Sequence, residues 1–287
     1  NPRALMILLS SLLLVALVLC LVRSSQAKDG PVLFTEEEVQ NARRNVGTYD
    51  WAKAELDLVL ETCRPWMAMS DDEAWSWVTG QAVPRGTHVN PDLGCPSCGR
   101  DLYRHGNYPW LVSLDRPWKL GCPSCSEVFP KNDYAGFHSS GLGKGGVFSA
   151  EQANRSLLFH SGHPNPSDPE HGYAVDDGLG WIDGEGNRWW FVAYYNHWCT
   201  WTEIPVAAYA LGLAYLYTGE QAYAHKGAVL LDRIADVYPL MDLDPWSDLE
   251  LYNSHGGSGR GRVKGSIWEN FLAESLSQAY DMVFGGM

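Results

Sequence analysis

Four cysteines carry the most specific chemistry in the chain. Cys95-Pro96-Ser97-Cys98-Gly99 and Cys122-Pro123-Ser124-Cys125-Ser126 are near-identical knuckles with 23 residues between them. Paired Cys-x-x-Cys turns bring four thiolates within tetrahedral reach of one Zn²⁺ ion, and Tyr103, Trp110, Leu111, Val112 and Leu114 supply the strand formers of a zinc ribbon. Four thiolates leave no open coordination position, so the expected zinc is structural, not hydrolytic. In an oxidising compartment the same cysteines can close as disulfides instead, and the sequence leaves that alternative open. Cys63 and Cys199 read as buried thiols.

A second group is Tyr194-Tyr195-Asn196-His197-Trp198, read as a loop just before a helix. Removal of a proton beside a carboxylate needs donors that neutralise the carboxylate and a Tyr or His as base or acid. Tyr194, Tyr195, Asn196 and His197 are of those types, and Trp198 offers a flat face for a sugar. The bland alternative is that Asn196 and His197 only tie the loop to the helix start. A third group is the Gly-rich run Asn253 to Lys264, where His255, Arg260 and Arg262 form a basic patch able to fork onto a carboxylate or sulfate, or simply a solvated loop. Its glycines match neither a phosphate-binding loop nor a dinucleotide fingerprint. His160, His163 and His171, with Asp168 and Glu170, could gather a second metal, although no helical His spacing supports it, or simply face solvent. Asp176, Asp177 and Glu203 are the carboxylates available for glycoside hydrolysis.

These groups need a scaffold, and the pattern around them is helical. Ser or Thr followed three residues later by Glu or Gln marks possible capping boxes at Thr35/Glu38, Ser70/Glu73, Ser149/Gln152 and Ser266/Glu269. Helices are expected over Asp50–Met67, Thr202–Tyr217, Glu220–Val237 and Ile267–Phe284, the middle two forming a hairpin joined at Thr218-Gly219. Trp181 and Trp189, separated by turn residues, predict a β-hairpin. From Thr87 to Gly146, Pro, Gly, Cys and aromatics replace helix formers, as in an inserted module.

With 45% hydrophobic residues in 287, the chain is long enough for a large folded domain. Its net charge of −13 repels phosphate backbones, which argues against nucleic acid as a partner. Ala4 to Val22 is an apolar run flanked by Arg3 and Arg23, and Ser25-Gln26-Ala27 fits a signal-peptide cleavage site. The expectation is a secreted or periplasmic protein, membrane-attached only if that segment stays uncleaved as an anchor. The chain begins without Met and ends directly after a strong helix, which reads as a fragment.

Longer phrases add a resemblance. Asp176-Asp177-Gly178-Leu179-Gly180-Trp181, Asn196-His197-Trp198-Cys199-Thr200-Trp201-Thr202-Glu203-Ile204-Pro205, Leu213 to Gly219, Ala235 to Pro239 and Ala279-Tyr280-Asp281 resemble the N-terminal helical part of heparinase II/III-like polysaccharide lyases. So does Cys122-Pro123-Ser124-Cys125 leading into Phe129-Pro130-Lys131-Asn132-Asp133. The resemblance implies an incomplete (α/α) toroid of helical hairpins and β-elimination on an acidic, uronic-acid-containing polysaccharide. In that family an Asn precedes a His, as Asn196-His197 do here, and a Tyr/His pair acts as base and acid. The division that results is 1–27 signal peptide, 28–86 N-terminal helices, 87–146 zinc-ribbon-like insert and 147–287 toroid portion. The rivals are an (α/α)-barrel glycoside hydrolase and a non-catalytic helical-repeat module that holds glycan or protein.

Overall fold

Two of the four proposed capping boxes start helices. Thr35 and Glu38 open α1 (Glu36–Thr48), and Ser70 and Glu73 open α3 (Asp71–Trp77), each with both reciprocal hydrogen bonds formed. Between them α2 (Asp50–Ala68) runs close to its expected bounds. The computed structural model describes residues 28, 30–253 and 259–287. The expected signal peptide, residues 1–27, and His255 lie outside the described residues.

After α3 the chain leaves the helices and builds an aromatic region. β1 (Leu120–Gly121) pairs antiparallel with β2 (Val128–Phe129), α4 (Tyr134–Ser140) follows, and β3 (Trp181–Ile182) pairs antiparallel with β4 (Arg188–Trp189). Trp181 faces Trp189 across the second hairpin. Ser149/Gln152 forms only a turn.

The chain then returns to helix through α5 (Phe191–Tyr195), a π-helical turn over Asn196–Thr200, and α6 (Trp201–Thr218). Gly219 ends α6 in the left-handed conformation at φ 78°, its N–H donating to Tyr215 O at 2.8 Å. The hairpin closes with α7 (Gln221–Val237), and α8 (Trp268–Val283) packs beside both. α6 is apolar on nearly every side because it is the central helix, touching α1, α2, α7 and α8. Gly212 lets α8 approach: a Cβ there would lie 2.9 Å from Met282 Cβ.

Helices α2, α3, α6, α7 and α8 share one core, in which Trp66, Trp201, Leu211, Leu230 and Leu272 are buried, while Val39 of α1 packs with Leu216 and Met282. A second core holds Trp110, Trp118, Phe129, Tyr134, Phe137, Phe191, Tyr194 and Tyr195. Phe129 and Phe191 stack at 4.9 Å, so residues of the expected 87–146 insert and of the following segment pack as one body. The reason is that the paired strands are two residues long and bury little by themselves. Among the described residues the protein is mainly helical with two small antiparallel sheets, and none of their helices is long and apolar enough to cross a membrane.

Candidate functional site

The two cysteine knuckles adopt matching turns. Gly99 N–H donates to Cys95 O at 2.8 Å, and Ser126 N–H to Cys122 O at 2.9 Å, with Gly99 at φ 63° and Ser126 at φ 64°. This brings the Sγ atoms of Cys95, Cys98, Cys122 and Cys125 within 4.8 Å of one another, close enough to hold a metal ion such as zinc. Cys95 and Cys122 are buried, Cys98 and Cys125 half-buried, and all four are free thiols. Burial pushes the Cys95 thiol up to about 11 when no cation is near, so a metal would have to displace its proton.

The second site is a cleft of about 440 Å³ lined by Thr87, Tyr108, His197, Trp198, Thr202, Tyr252, Asn253, Lys264 and Trp268. The π-helical turn shapes its floor. An extra residue in that turn directs His197 and Trp198 to the cleft while Asn196 points into the 79–84 segment. Trp198 is fixed by its indole N–H donating to Thr87 O at 3.1 Å, and its ring lies 4.5 Å from that of Tyr108. His88 continues the row, 5.2 Å from Tyr108 and 4.8 Å from Tyr252.

Lys264 is the cation that lines the cleft, with the Glu269 and Glu203 carboxylates close enough to act on it. Lys264 Nζ donates to Thr202 Oγ1 at 3.1 Å. Its backbone is held by Glu269, whose carboxylate accepts the N–H groups of Val263, Lys264 at 2.9 Å and Gly265 at 2.7 Å. Glu269 therefore does not reach back to Ser266 as a capping box; Ile267 occupies the N-cap of α8 because Gly265 and Ser266 both turn through positive φ. Arg85, fully buried, donates to the carbonyls of Val263 and Asp242 and organises the loop from below. Burial, with Lys264, Arg85 and His88 nearby, lowers the His197 pKa to about 3, so its imidazole is neutral. Burial also depresses the Lys264 ammonium, against the pull of Glu269 and Glu203.

Three of the four expected catalytic residues are turned away from this cleft. Asn196 is fully buried, its amide donating to Val83 O and Pro84 O at 3.0 Å each while its Oδ1 accepts from Thr79 Oγ1 at 2.7 Å. No hydrogen-bonding capacity of that N–H₂ remains for a substrate carboxylate. Tyr195 donates to Ser113 O at 2.9 Å and Tyr194 is buried against the Trp110 backbone. The segment is helix and not loop, since Phe191 to Tyr195 are all buried and must satisfy their backbone internally. His197 and Trp198 remain at the cleft.

Of the expected substrate-binding residues, Arg260 is exposed and Arg262 half-buried, and neither lines the cleft. Asp176 is buried under the N–H groups of Gly178, Gly180 and Val192, and Asp177 pairs with Arg155 at 3.5 Å. His163 pairs with Asp168 at 2.9 Å, and among the described residues only the four cysteines group as metal ligands. Tyr108, Tyr252 and Trp268 are new members of the site. Trp268 is the first residue of α8 and is 53% exposed at the cleft. Lys264 belongs to the basic run that the sequence singles out. Compared with known proteins, the chain matches no family model, no curated protein and no solved structure.

Proposed function

We propose that this chain is the substrate-holding helical part of a polysaccharide lyase, an incomplete (α/α) toroid that takes an acidic, uronic-acid-containing polysaccharide into the Trp198 cleft. One observation carries the reading: the cleft combines aromatic faces with a cation and a neutral imidazole, and none of its described lining residues is a carboxylate. Indole and phenol rings stack on sugar faces, and an ammonium in a partly desolvated cleft attracts a uronate carboxylate strongly. In β-elimination the carboxylate gains charge as the neighbouring carbon loses its proton, so Lys264 stabilises the transition state more than the ground state. His197, kept neutral, is the lining group whose imidazole nitrogen can take up the proton leaving carbon, and the phenols of Tyr108 and Tyr252 are the lining groups able to pass a proton to the departing oxygen as its bond to carbon breaks.

A glycoside hydrolase is disfavoured because it requires two carboxylates flanking the bond. The cysteine cluster is taken to hold a structural zinc ion, and residues 1–27 to direct export and be removed, with membrane attachment only where they are kept. The test is incubation of the protein with polyuronates while near-ultraviolet absorbance is followed. Unsaturated products that diminish about 10²-fold or more in Lys264→Met support the reading. Reducing sugars without unsaturation would assign hydrolysis instead, and binding without products would assign a non-catalytic holding module.

A further inference from the structure

We propose that the four-cysteine centre sets one wall of the aromatic cleft through Tyr108, so that metal binding and glycan binding are thermodynamically coupled. The ligand part of this proposal rests on the glycan reading above. Tyr108 belongs to the segment strung between the two knuckles, residues 99–121. On its N-terminal side Cys98 leads into the tight turn Arg100–His105, anchored where Tyr103 Oη donates to Asn90 O at 2.8 Å. Gly106, at φ 116°, then redirects the chain toward the cleft. On its C-terminal side Trp110 is buried against Phe129 and Phe191, and Leu111 exchanges two 2.9 Å backbone hydrogen bonds with Gly121, the residue before Cys122.

Both ends of the segment are thus fastened beside cysteines, and its exposed tip is the ring that meets Trp198. Tyr108 is 50% exposed, so the aromatic core does not fix it. Its ring contacts, Trp198 at 4.5 Å and His88 at 5.2 Å, are residues on the other side of the cleft wall. A metal joining the knuckles shortens the freedom of the segment at both ends and holds Tyr108 against Trp198. Without the metal, the two knuckles are joined by Ser124 Oγ donating to Asp101 O at 3.1 Å and by the burial of Cys95, Leu102 and Cys122 in one cluster, while the strand pair β1–β2 brackets the second knuckle alone. Because binding free energies at linked sites are reciprocal, a glycan seated on Tyr108 and Trp198 must then tighten the metal by the factor by which the metal tightens the glycan.

The experiment uses the full chain loaded with zinc, a polyuronate as glycan probe, and equilibrium competition with a metallochromic chelator. Saturating polyuronate is expected to tighten zinc at least about fivefold, the lower end of coupling between linked sites. Tyr108→Ala is expected to retain one zinc, bind polyuronate more weakly, and lose the coupling. A readout without glycan is the fluorine resonance of 5-fluorotryptophan at position 198, identified with Trp198→Phe. It should shift on zinc removal in the wild type and stay in place in Tyr108→Ala. Zinc affinity indifferent to bound polyuronate, together with an unmoved Trp198 resonance, would overturn the proposal. So would full coupling in Tyr108→Ala, which is also the outcome if zinc removal simply unfolds the chain. A protein that binds no polyuronate but whose Trp198 resonance follows zinc through Tyr108 rejects the glycan as ligand and upholds the link between metal and wall.

Discussion

At residue scale, Asn196 and Lys264 separate structure from chemistry. The amide of Asn196 joins Thr79 and the carbonyls of Val83 and Pro84 to the start of the π-helical turn. Asn196→Ala would leave those buried groups without partners, at a cost of about 2–4 kcal/mol. Urea unfolding should register that loss; a variant of normal stability but impaired turnover would return Asn196 to a catalytic role. Lys264 makes the opposite prediction. Its pKa is lowered by burial, and only its protonated form attracts a carboxylate. Anion binding should therefore be strongest below that depressed pKa and weaken as pH rises through it, starting at lower pH than for an exposed lysine. Calorimetric titration of a polyuronate against pH checks this, and Lys264→Met should show a weak, pH-flat affinity over the same range.

At the scale of elements, the start of α8 does two tasks. Glu269 satisfies the amides of Val263, Lys264 and Gly265 and receives the Tyr238 hydroxyl, so one side chain fastens the loop that carries the cleft's lysine. Glu269→Ala should lower stability by about 1–3 kcal/mol and weaken polyuronate binding in parallel, read by thermal unfolding and by titration. Much of this level was legible in the sequence. The α6–α7 hairpin with Gly219, the Trp181/Trp189 hairpin and two capping boxes follow from local propensity and turn chemistry, which depend on neighbours along the chain. The cysteine cluster was legible for the same reason, because each knuckle is a local turn. The cleft was legible only in part: His197, Trp198 and the run ending at Lys264 stand out in the sequence, but Tyr108, Trp198 and the 252–264 loop are distant from one another along the chain, and an Asn-His pair reads alike whether the amide faces a substrate or, as here, the carbonyls of residues 83 and 84. The π-helical turn that decides between those orientations has no local signature in this sequence.

For the whole molecule, two buried histidines weaken the fold as pH falls, opposed below about pH 6 by buried Asp176, whose pKa burial raises to about 6. His197 has its pKa lowered from 6.5 to about 3 and His138 to about 4, burial being the leading cause for both. Unfolding exposes both rings, which then take up protons that the folded state refuses. Their contribution to stability is fully present above pH 6.5 and is lost as pH falls toward those lowered values. Equilibrium unfolding between pH 7 and 4 should show that decline, with a shallower slope in His138→Phe; a pH-independent free energy over this range would contradict it.

The whole-molecule charge bears on ligand choice as well, since a chain of net charge −13 gathers an anionic polymer only where a local cation overrides the general repulsion. The most direct test is to compare, by isothermal titration at low salt, a polyuronate with the same polymer after its carboxyl groups have been reduced to alcohols. Stacking on Trp198 and Tyr108 is common to both polymers, and attraction to Lys264 belongs to the first alone. The expected result is binding of the polyuronate at least about tenfold tighter than of the reduced polymer, corresponding to roughly 1.4 kcal/mol, with the difference abolished in Lys264→Met. Equal affinity for the two polymers, or a preference that survives in Lys264→Met, would contradict an acidic-glycan cleft built around Lys264.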